Sequence, residues 1–374
     1  MNNISMRGIA AGVSAAILVA VFPLEAEAFV WSFGHSADVE GASITFHVDV
    51  PGLAPSGISW NQAFEEAAYD WSVSSVVQIN TVRDFKNPCG ALYDGYGGIG
   101  FSGDLCGKAH LYTSNTRAIS IVQRRDVNTI IYSDIPYTTA FDWDIYDGDY
   151  KVKPIILPDG KPFNEVISDF RRTSKHEIGH ALGLGHSKFP RSIVSDAKDR
   201  HFDVTGLSPD DICGVNIANG RHDACTLLLP HSATLTGEPT SAIFTGGASK
   251  TFGASYQAHF SSNDMIDVMG TVVVEEAHYG LNGRLHAIVV LSDGTNLAWG
   301  SRGFVAWNGT VAGLHAVADV QTLDGANELY ILKNFSIGES GISGVGVSIF
   351  IGYSLESEPD EVYYSGTPIV FNLE

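Results

Sequence analysis

The chain has 374 residues, of which 44% are hydrophobic and 17% are charged, a composition that excludes a disordered protein and favours a well-cored one. Its formal net charge of −20 argues against nucleic acid or anionic lipid as a partner. The length exceeds that of one ordinary core and favours two domains.

The first predicted element is a signal peptide over residues 1–28. Arg7 supplies a short basic region, residues 8–22 are apolar, and an Ala-Glu-Ala run ending at Ala28 has the small-x-small pattern of a cleavage site. The apolar run is short for a membrane span, and a retained membrane anchor is the alternative. We therefore expect a secreted chain that begins at Phe29 and has no stable membrane insertion after cleavage.

The next 190 or so residues are predicted to mix strands and helices, since alternating and three- or four-residue apolar spacings both occur. Strands are predicted over residues 42–49, 76–82 and 128–132, helices over 60–71 and 164–185, and a short helix at Ser208-Pro209, where Ser suits the N-cap and Pro the first turn. Residues 90–107, which are rich in glycine, are predicted to be a loop, and residues 134–162 to be irregular.

Two features of this region leave alternatives open. The acidic loop contains Asp142, Asp144, Asp147 and Asp149 and could hold Ca²⁺, although it matches no EF-hand and a solvated acidic loop is the alternative. The four cysteines, Cys89, Cys106, Cys213 and Cys225, allow three disulfide connectivities, of which the two short local loops are the least costly to close. Neither short pair has C-x-x-C spacing, so we interpret all four as structural.

Beyond a boundary near residue 235 the pattern becomes all-β. Short β-like runs occur at 271–274, 286–291, 304–307, 329–332, 347–351 and 369–372, separated by turn signals such as Asp293-Gly294. This spacing predicts a β-sandwich over residues 235–374. Its aromatic residues are interpreted as core, with a binding face as the alternative: Trp299, Trp307, Tyr330, Tyr353, Tyr363 and Tyr364.

The chemistry is concentrated in the sequence HEIGHALGLGH, which occupies residues 176–186. His176 and His180 are four residues apart on a predicted helix, so both imidazoles project from one face and can bind one ion. Glycines at 183 and 185 allow the chain to turn so that His186 becomes the third ligand. Three imidazoles with a fourth position open indicate catalytic zinc, and Glu177 can act as general base on a water at that position.

This segment resembles the extended zinc signature of the metzincins, and HSKFP at 186–190 is similar to the H-S-x-x-P run of the matrixin, or matrix-metalloproteinase-like, branch. LSPDDICG at 207–214 is similar to the closing helix of that branch, although Cys213 is unusual there. The resemblance implies an α+β catalytic domain with a twisted sheet, one zinc ion and endopeptidase activity on proteins. By matching position it implies His176, His180 and His186 as zinc ligands and Glu177 as the catalytic base.

The sequence departs from the family in two respects. The methionine beneath the family's zinc site falls at Val194 here, and the distant Met269 is interpreted as part of a strand of the second domain. The sequence shows no cysteine-switch segment, so we expect activity on folding. The resemblance further suggests that the Phe29 ammonium pairs with Asp210 or Asp211, with a role for these carboxylates in favouring a helix N-terminus as the alternative.

The sequence thus predicts an α+β metzincin-like catalytic domain over residues 29–234 and a β-sandwich accessory domain over 235–374. The predicted function is a secreted zinc endopeptidase acting on protein or peptide substrates, with a monomer as the working expectation. The alternative is a catalytically weak, metal-binding adhesion or recognition protein that acts through its β domain. His201 and His222 are minor further candidates for ligands.

Overall fold

The computed structural model describes residues 31–32, 35–91, 93–109, 115–156, 160–187, 189–195, 203–250, 255–300, 303–320, 322–340 and 344–374. The predicted signal peptide and Phe29 lie outside these residues, as does His201. Within the described part of the chain, no helix is both long and apolar enough to cross a membrane.

The N-terminal region combines a mainly parallel sheet with helices. Its strands are β1 (Asp38–Val39), β2 (Ser43–Val48), β3 (Gln78–Val82), β4 (Gly97–Ser102), β5 (Ile121–Arg124), β6 (Thr129–Thr138), β7 (Trp143–Asp144), β8 (Val152–Ile156), β9 (Pro162–Val166) and β10 (Ser168–Asp169). Its helices are α1 (Trp60–Ser74), α2 (Phe170–Ala181) and α3 (Pro209–Ala218). The main sheet has the order β1-β6-β4-β2-β3, and β5 pairs with β6 in the antiparallel direction. The α+β prediction for this region is confirmed.

Helix α1 forms where the apolar spacing predicts it. The Ser59 hydroxyl caps its first turn by accepting a hydrogen bond from the backbone N–H of Gln62 at 3.1 Å. The apolar residues along one side of the helix are buried, namely Ala63, Phe64, Ala67 and Trp71. The ring of Phe64 packs edge-on against Phe46 of β2 with centroids 5.3 Å apart. The helix therefore covers one face of the sheet.

The prediction of a loop over residues 90–107 is wrong in part, because β4 lies at the centre of the sheet within it. The glycines signalled a loop, but here they permit close backbone approach. A Cβ at Gly97 would lie 2.6 Å from the Ser133 carbonyl oxygen, and one at Gly98 would lie 2.5 Å from that of Lys86. The predicted staple around the strand is present as the Cys89–Cys106 disulfide.

The predicted helix over 164–185 and the irregular stretch over 134–162 also need correction. Strand β6 extends to Thr138, within the stretch predicted to be irregular. Strands β8 and β9 form an antiparallel hairpin that ends at Val166, within the predicted helix. The apolar pair Val166 and Ile167 suggested a helical turn, but pairing of Val166 with Val152 across the hairpin overrode it. Helix α2 begins only after Asp169, whose carboxylate accepts from the Arg171 N–H at 3.1 Å.

The C-terminal region consists of mainly antiparallel sheets. Its elements are β11 (Ala233–Thr234), β12 (Ile243–Ser249), β13 (His259–Phe260), β14 (Met265–Val273), β15 (Gly283–Leu291), β16 (Asn296–Gly300), β17 (Gly303–Ala306), β18 (Ala318–Val320), β19 (Ala326–Ser336), α4 (Ile337–Ser340), β20 (Val345–Leu355), β21 (Tyr363–Tyr364) and β22 (Ile369–Leu373). Each of the six predicted β-like runs overlaps one of these strands. Strands β13 and β22 pair in the parallel direction. A nine-stranded sheet and the three-stranded sheet β12-β14-β19 contribute buried side chains to one apolar cluster.

The two regions also share buried surface. Val273 of β14 and Ala326 of β19 belong to the apolar core that α1 and α2 form with the N-terminal sheet. A smaller cluster joins Phe189, in the segment after α2, to Met269 of β14. Met269 therefore lies in a strand, as predicted, and that strand faces the segment that follows the histidine motif.

Candidate metal centre

Helix α2 and the turn after it carry the three predicted histidines. His176 and His180 lie one helical turn apart on α2, which ends at Ala181. Gly183 then adopts a φ of +96°, a conformation that side-chain-bearing residues rarely take, and the chain reverses. The turn brings His186 back to the other two rings, with one possible ligand atom from each of the three within 4.8 Å of the others. The structure thus brings together the residues that the sequence singled out.

The hydrogen bonds of two of these rings fix their tautomers. Nδ1 of His176 bonds to the Ile193 carbonyl at 2.9 Å, and Nδ1 of His180 bonds to the Leu184 carbonyl at 2.7 Å. A carbonyl oxygen only accepts, so both Nδ1 atoms carry the proton, and in a neutral ring Nε2 is then a bare lone pair. The two Nε2 atoms lie 3.0 Å apart. Two lone pairs at this distance repel one another unless a cation or a proton lies between them.

This donor set fits zinc. Two nitrogens bound to one tetrahedral zinc ion, each at about 2.0–2.1 Å, are about 3.4 Å apart, close to the spacing of the two Nε2 atoms. Backbone carbonyls hold the opposite ring nitrogens, which is the usual outer support of a histidine ligand. His176 is buried, His180 is half-buried and His186 is exposed, so the site opens to solvent on the side of the third ring. An open side is typical of a catalytic metal site.

Glu177 lies next to the first histidine and is 5% exposed. The Ser120 hydroxyl, just before β5, lies 2.6 Å from the Glu177 backbone oxygen and 3.2 Å from its carboxylate Oε2, and it can donate to either. Ser120 thus ties the helix and its glutamate to the edge of the sheet. Sequence reasoning missed Ser120, because no local motif marks a contact between residues 57 positions apart.

Asp211 supports the site from below. Its carboxylate accepts from the Ser192 hydroxyl at 2.5 Å, the Ile193 N–H at 2.9 Å and the Ser208 N–H at 2.7 Å. Burial raises the pKa of this carboxyl above its usual range, although these hydrogen bonds act in the opposite direction. Because the Ile193 carbonyl accepts from His176, Asp211 holds the residue that orients the first histidine. The predicted ammonium pairing cannot be placed, because Phe29 lies outside the described residues.

Val194 occupies the position of the family's methionine and is fully buried beneath α2. It lies so close to the helix that a Cβ on Gly179 would be 2.3 Å from its Cγ1. On the other side of the site, Leu184 receives a second donor, because the Ser32 hydroxyl bonds to the same carbonyl as His180. Ser32 is another contributor that the motif alone did not reveal.

The remaining candidates do not join the cluster. His222 begins a short 3-10 helix after α3 and is not part of the histidine group. In the acidic loop, Asp142 pairs with Lys153, Asp144 with Lys151 at 2.9 Å, and Asp147 with Arg171 at 2.5 Å. Three of the four aspartates of this loop are therefore ion-paired, and among the described residues the histidines are the group that could hold a metal ion.

Comparison with known proteins agrees with this geometry. Residues 95–218 match the model of the Matrixin family. Over 53 residues the chain is 34% identical to matrix metalloproteinase-19 of Homo sapiens, a stretch that is 14% of this chain and 10% of that protein. The Mus musculus matrix metalloproteinase-19 matches to the same extent. The chain therefore spans about a tenth of the length of these relatives. The segment that holds the three histidines, within residues 95–218, is thus similar to a matrixin domain.

Proposed function

We propose that this protein is a secreted zinc endopeptidase that hydrolyses peptide bonds in proteins. The observation that carries the proposal is that three imidazoles converge beside a buried glutamate. All four residues lie in the segment that matches the Matrixin family. In this proposal His176, His180 and His186 bind the zinc ion and Glu177 is the general base.

When bound, zinc supplies Lewis-acid chemistry, which lowers the pKa of a water molecule towards about 7 and polarises the scissile carbonyl. The chain supplies proton transfer and orientation. Glu177 takes the proton from the attacking water and later delivers it to the leaving amine. Ser120 restrains the glutamate by hydrogen bonding to its backbone and carboxylate oxygens. The two carbonyls that accept from Nδ1 keep the histidine rings facing the ion.

Secretion is supported by the two disulfides, Cys89–Cys106 and Cys213–Cys225, since such bonds persist in oxidising compartments. We further propose that residues 29–234 form the catalytic domain and residues 235–374 a β-sandwich accessory domain. The apolar cluster shared by the two mainly antiparallel sheets supports this architecture.

The test is cleavage of an unfolded protein substrate by the purified chain, with and without a zinc chelator, beside Glu177→Gln. We expect chelation to abolish cleavage and zinc to restore it. Glu177→Gln should retain zinc but lose about 100-fold or more in rate, the usual contribution of a general base. Glu165→Gln is the matched control, because that glutamate lies on the β8–β9 hairpin and pairs with Lys153 at 3.1 Å.

Cleavage that survives both chelation and Glu177→Gln would contradict the proposal. A wild-type chain that binds zinc but cleaves nothing would favour the metal-binding recognition protein instead.

A further inference from the structure

The segment that follows the third histidine is held by the C-terminal region. The Ser187 side chain is fully buried, and its hydroxyl donates to Oε1 of Glu328 on β19 at 3.1 Å. The same hydroxyl accepts from the Phe189 N–H at 3.0 Å. One side chain next to His186 is therefore bonded both to its own segment and to a strand 141 residues further along the chain.

An apolar contact lies beside this hydrogen bond. Phe189 is 3% exposed and packs against Met269 of β14, which is fully buried. The ring of Tyr330 on β19 meets Phe189 edge-on, with centroids 5.5 Å apart and an interplanar angle of 87°. Strands β14 and β19 are hydrogen-bonded neighbours, so the polar and apolar contacts come from one small sheet.

His186 lies outside the helix that carries the other two histidines. His176 and His180 are fixed by α2 and by hydrogen bonds from Nδ1 to backbone carbonyls. His186 lies beyond the helix, and its side chain is exposed. The backbone on its C-terminal side is the segment that β14 and β19 contact, so these strands act directly on the chain next to His186.

We propose that Glu328 is a positioning residue for the third zinc ligand, acting through Ser187, and that the C-terminal region thereby forms part of the support of the metal site. Phe189 and its contacts with Met269 and Tyr330 hold the same segment in register. The inference rests on the proposed zinc site and goes beyond it, because it gives residues outside the matrixin-like segment a role in metal retention.

The experiment measures the rate of zinc release to a chromogenic chelator and the visible spectrum of the cobalt-substituted full chain. We expect Glu328→Ala to release zinc about 10-fold faster or more, in line with the loss of outer support at other metal sites, and to weaken the absorption of tetrahedral cobalt. Glu328→Gln should release zinc at close to the wild-type rate, because its amide oxygen can still accept from Ser187. Ser187→Ala, which breaks the bond from the other side, should match Glu328→Ala, and the double variant should be no worse than either.

Glu361→Ala is the control. Glu361 also belongs to the C-terminal region and accepts from a hydroxyl, that of Thr236 at 2.7 Å, but it does not contact the histidine segment. Folding of each variant is checked by its melting temperature. The inference would be overturned if Glu328→Ala and Ser187→Ala released zinc at the wild-type rate, or if Glu361→Ala accelerated zinc release as much as they do. If Glu328→Ala does not fold, Ser187→Ala and Glu328→Gln decide the matter.

The two proposals fail in different ways. A wild-type chain that binds neither zinc nor cobalt ends the proposed function. If the wild-type chain binds zinc and cleaves protein, but substitutions at Glu328 and Ser187 leave the rate of zinc release unchanged, only the positioning role is contradicted.

Discussion

Replacing Gly179 with alanine tests whether Val194 packs rigidly beneath α2, the helix that carries His176 and His180. Gly179 lies one residue before His180, and an added Cβ would be 2.3 Å from Val194 Cγ1 and 3.2 Å from Trp71 Cζ2. Ordinary contact between carbon atoms is at about 3.5–4.0 Å, so the new methyl overlaps Val194 by more than an ångström. Both neighbours are fully buried, which leaves them little room to move aside.

Two opposing effects set the size of the change. Overpacking of a tight core costs about 1–3 kcal/mol, whereas alanine is favoured over glycine inside a helix by about 1 kcal/mol. Because the overlap with Val194 is large, the overpacking cost should lie in the upper half of its range, about 2–3 kcal/mol, and we expect Gly179→Ala to lower the free energy of unfolding by about 1–2 kcal/mol. In a Val194→Ala background the overlap with Val194 Cγ1 is gone, only the milder contact with Trp71 at 3.2 Å remains, and the new methyl fills part of the cavity, so the same change should be close to neutral or stabilising.

The measurement is urea denaturation of the four chains of this double-mutant cycle. The coupling between positions 179 and 194 should be about 1–3 kcal/mol in favour of the double variant. Gly206→Ala is the matched control, because a Cβ there meets nothing within 4 Å. Additive effects of the two changes, or a Gly179→Ala chain as stable as the wild type, would refute the reasoning.

Three further outcomes are expected. Burial raises the pKa of Asp134 to about 7, so the folded state keeps a proton that the unfolded chain loses above about pH 4. The free energy of unfolding of the wild type should therefore fall, relative to that of Asp134→Asn, as pH rises from about 4 to about 7. Parallel curves of unfolding free energy against pH for the two chains would contradict this. Replacing Cys213 and Cys225 with serine opens a loop with a sequence separation of 12 and should cost about 3 kcal/mol in chemical denaturation, whereas an unchanged midpoint would assign the bond no stabilising role. Ser120→Ala should lower kcat by about 10-fold with KM little changed, because Glu177 loses a restraint while the contacts that bind substrate are unaffected. A change confined to KM in steady-state assays would point to a binding role for Ser120 instead.

Local features were readable from the sequence wherever one segment's own periodicity decides its structure. Helix α1 follows from its apolar spacing, and α3 begins at Ser208-Pro209 as predicted. The meeting of His176 and His180 follows from helical spacing alone, and Gly183 supplies the reversal that brings in His186. The two shortest cysteine loops are the ones that the structure closes.

Elsewhere, contacts between distant residues decided the outcome. Gly97 and Gly98 resemble loop residues, and only the neighbouring backbones show why a central strand requires them. Val166 had helical neighbours in sequence but a strand partner in space. In both places the local signal was weak, and the free energy of pairing with a distant strand exceeded it.

The sequence by itself determined which histidines come together, because a helix and one glycine turn are enough to bring the three imidazoles to one place. Only the tertiary structure decided what holds them there. Ser120, Asp211 and Glu328 come from different parts of the chain and reach the site through the fold. Hydrogen bonds between such distant residues depend on how whole sheets and helices pack, and no local pattern of residues encodes that arrangement.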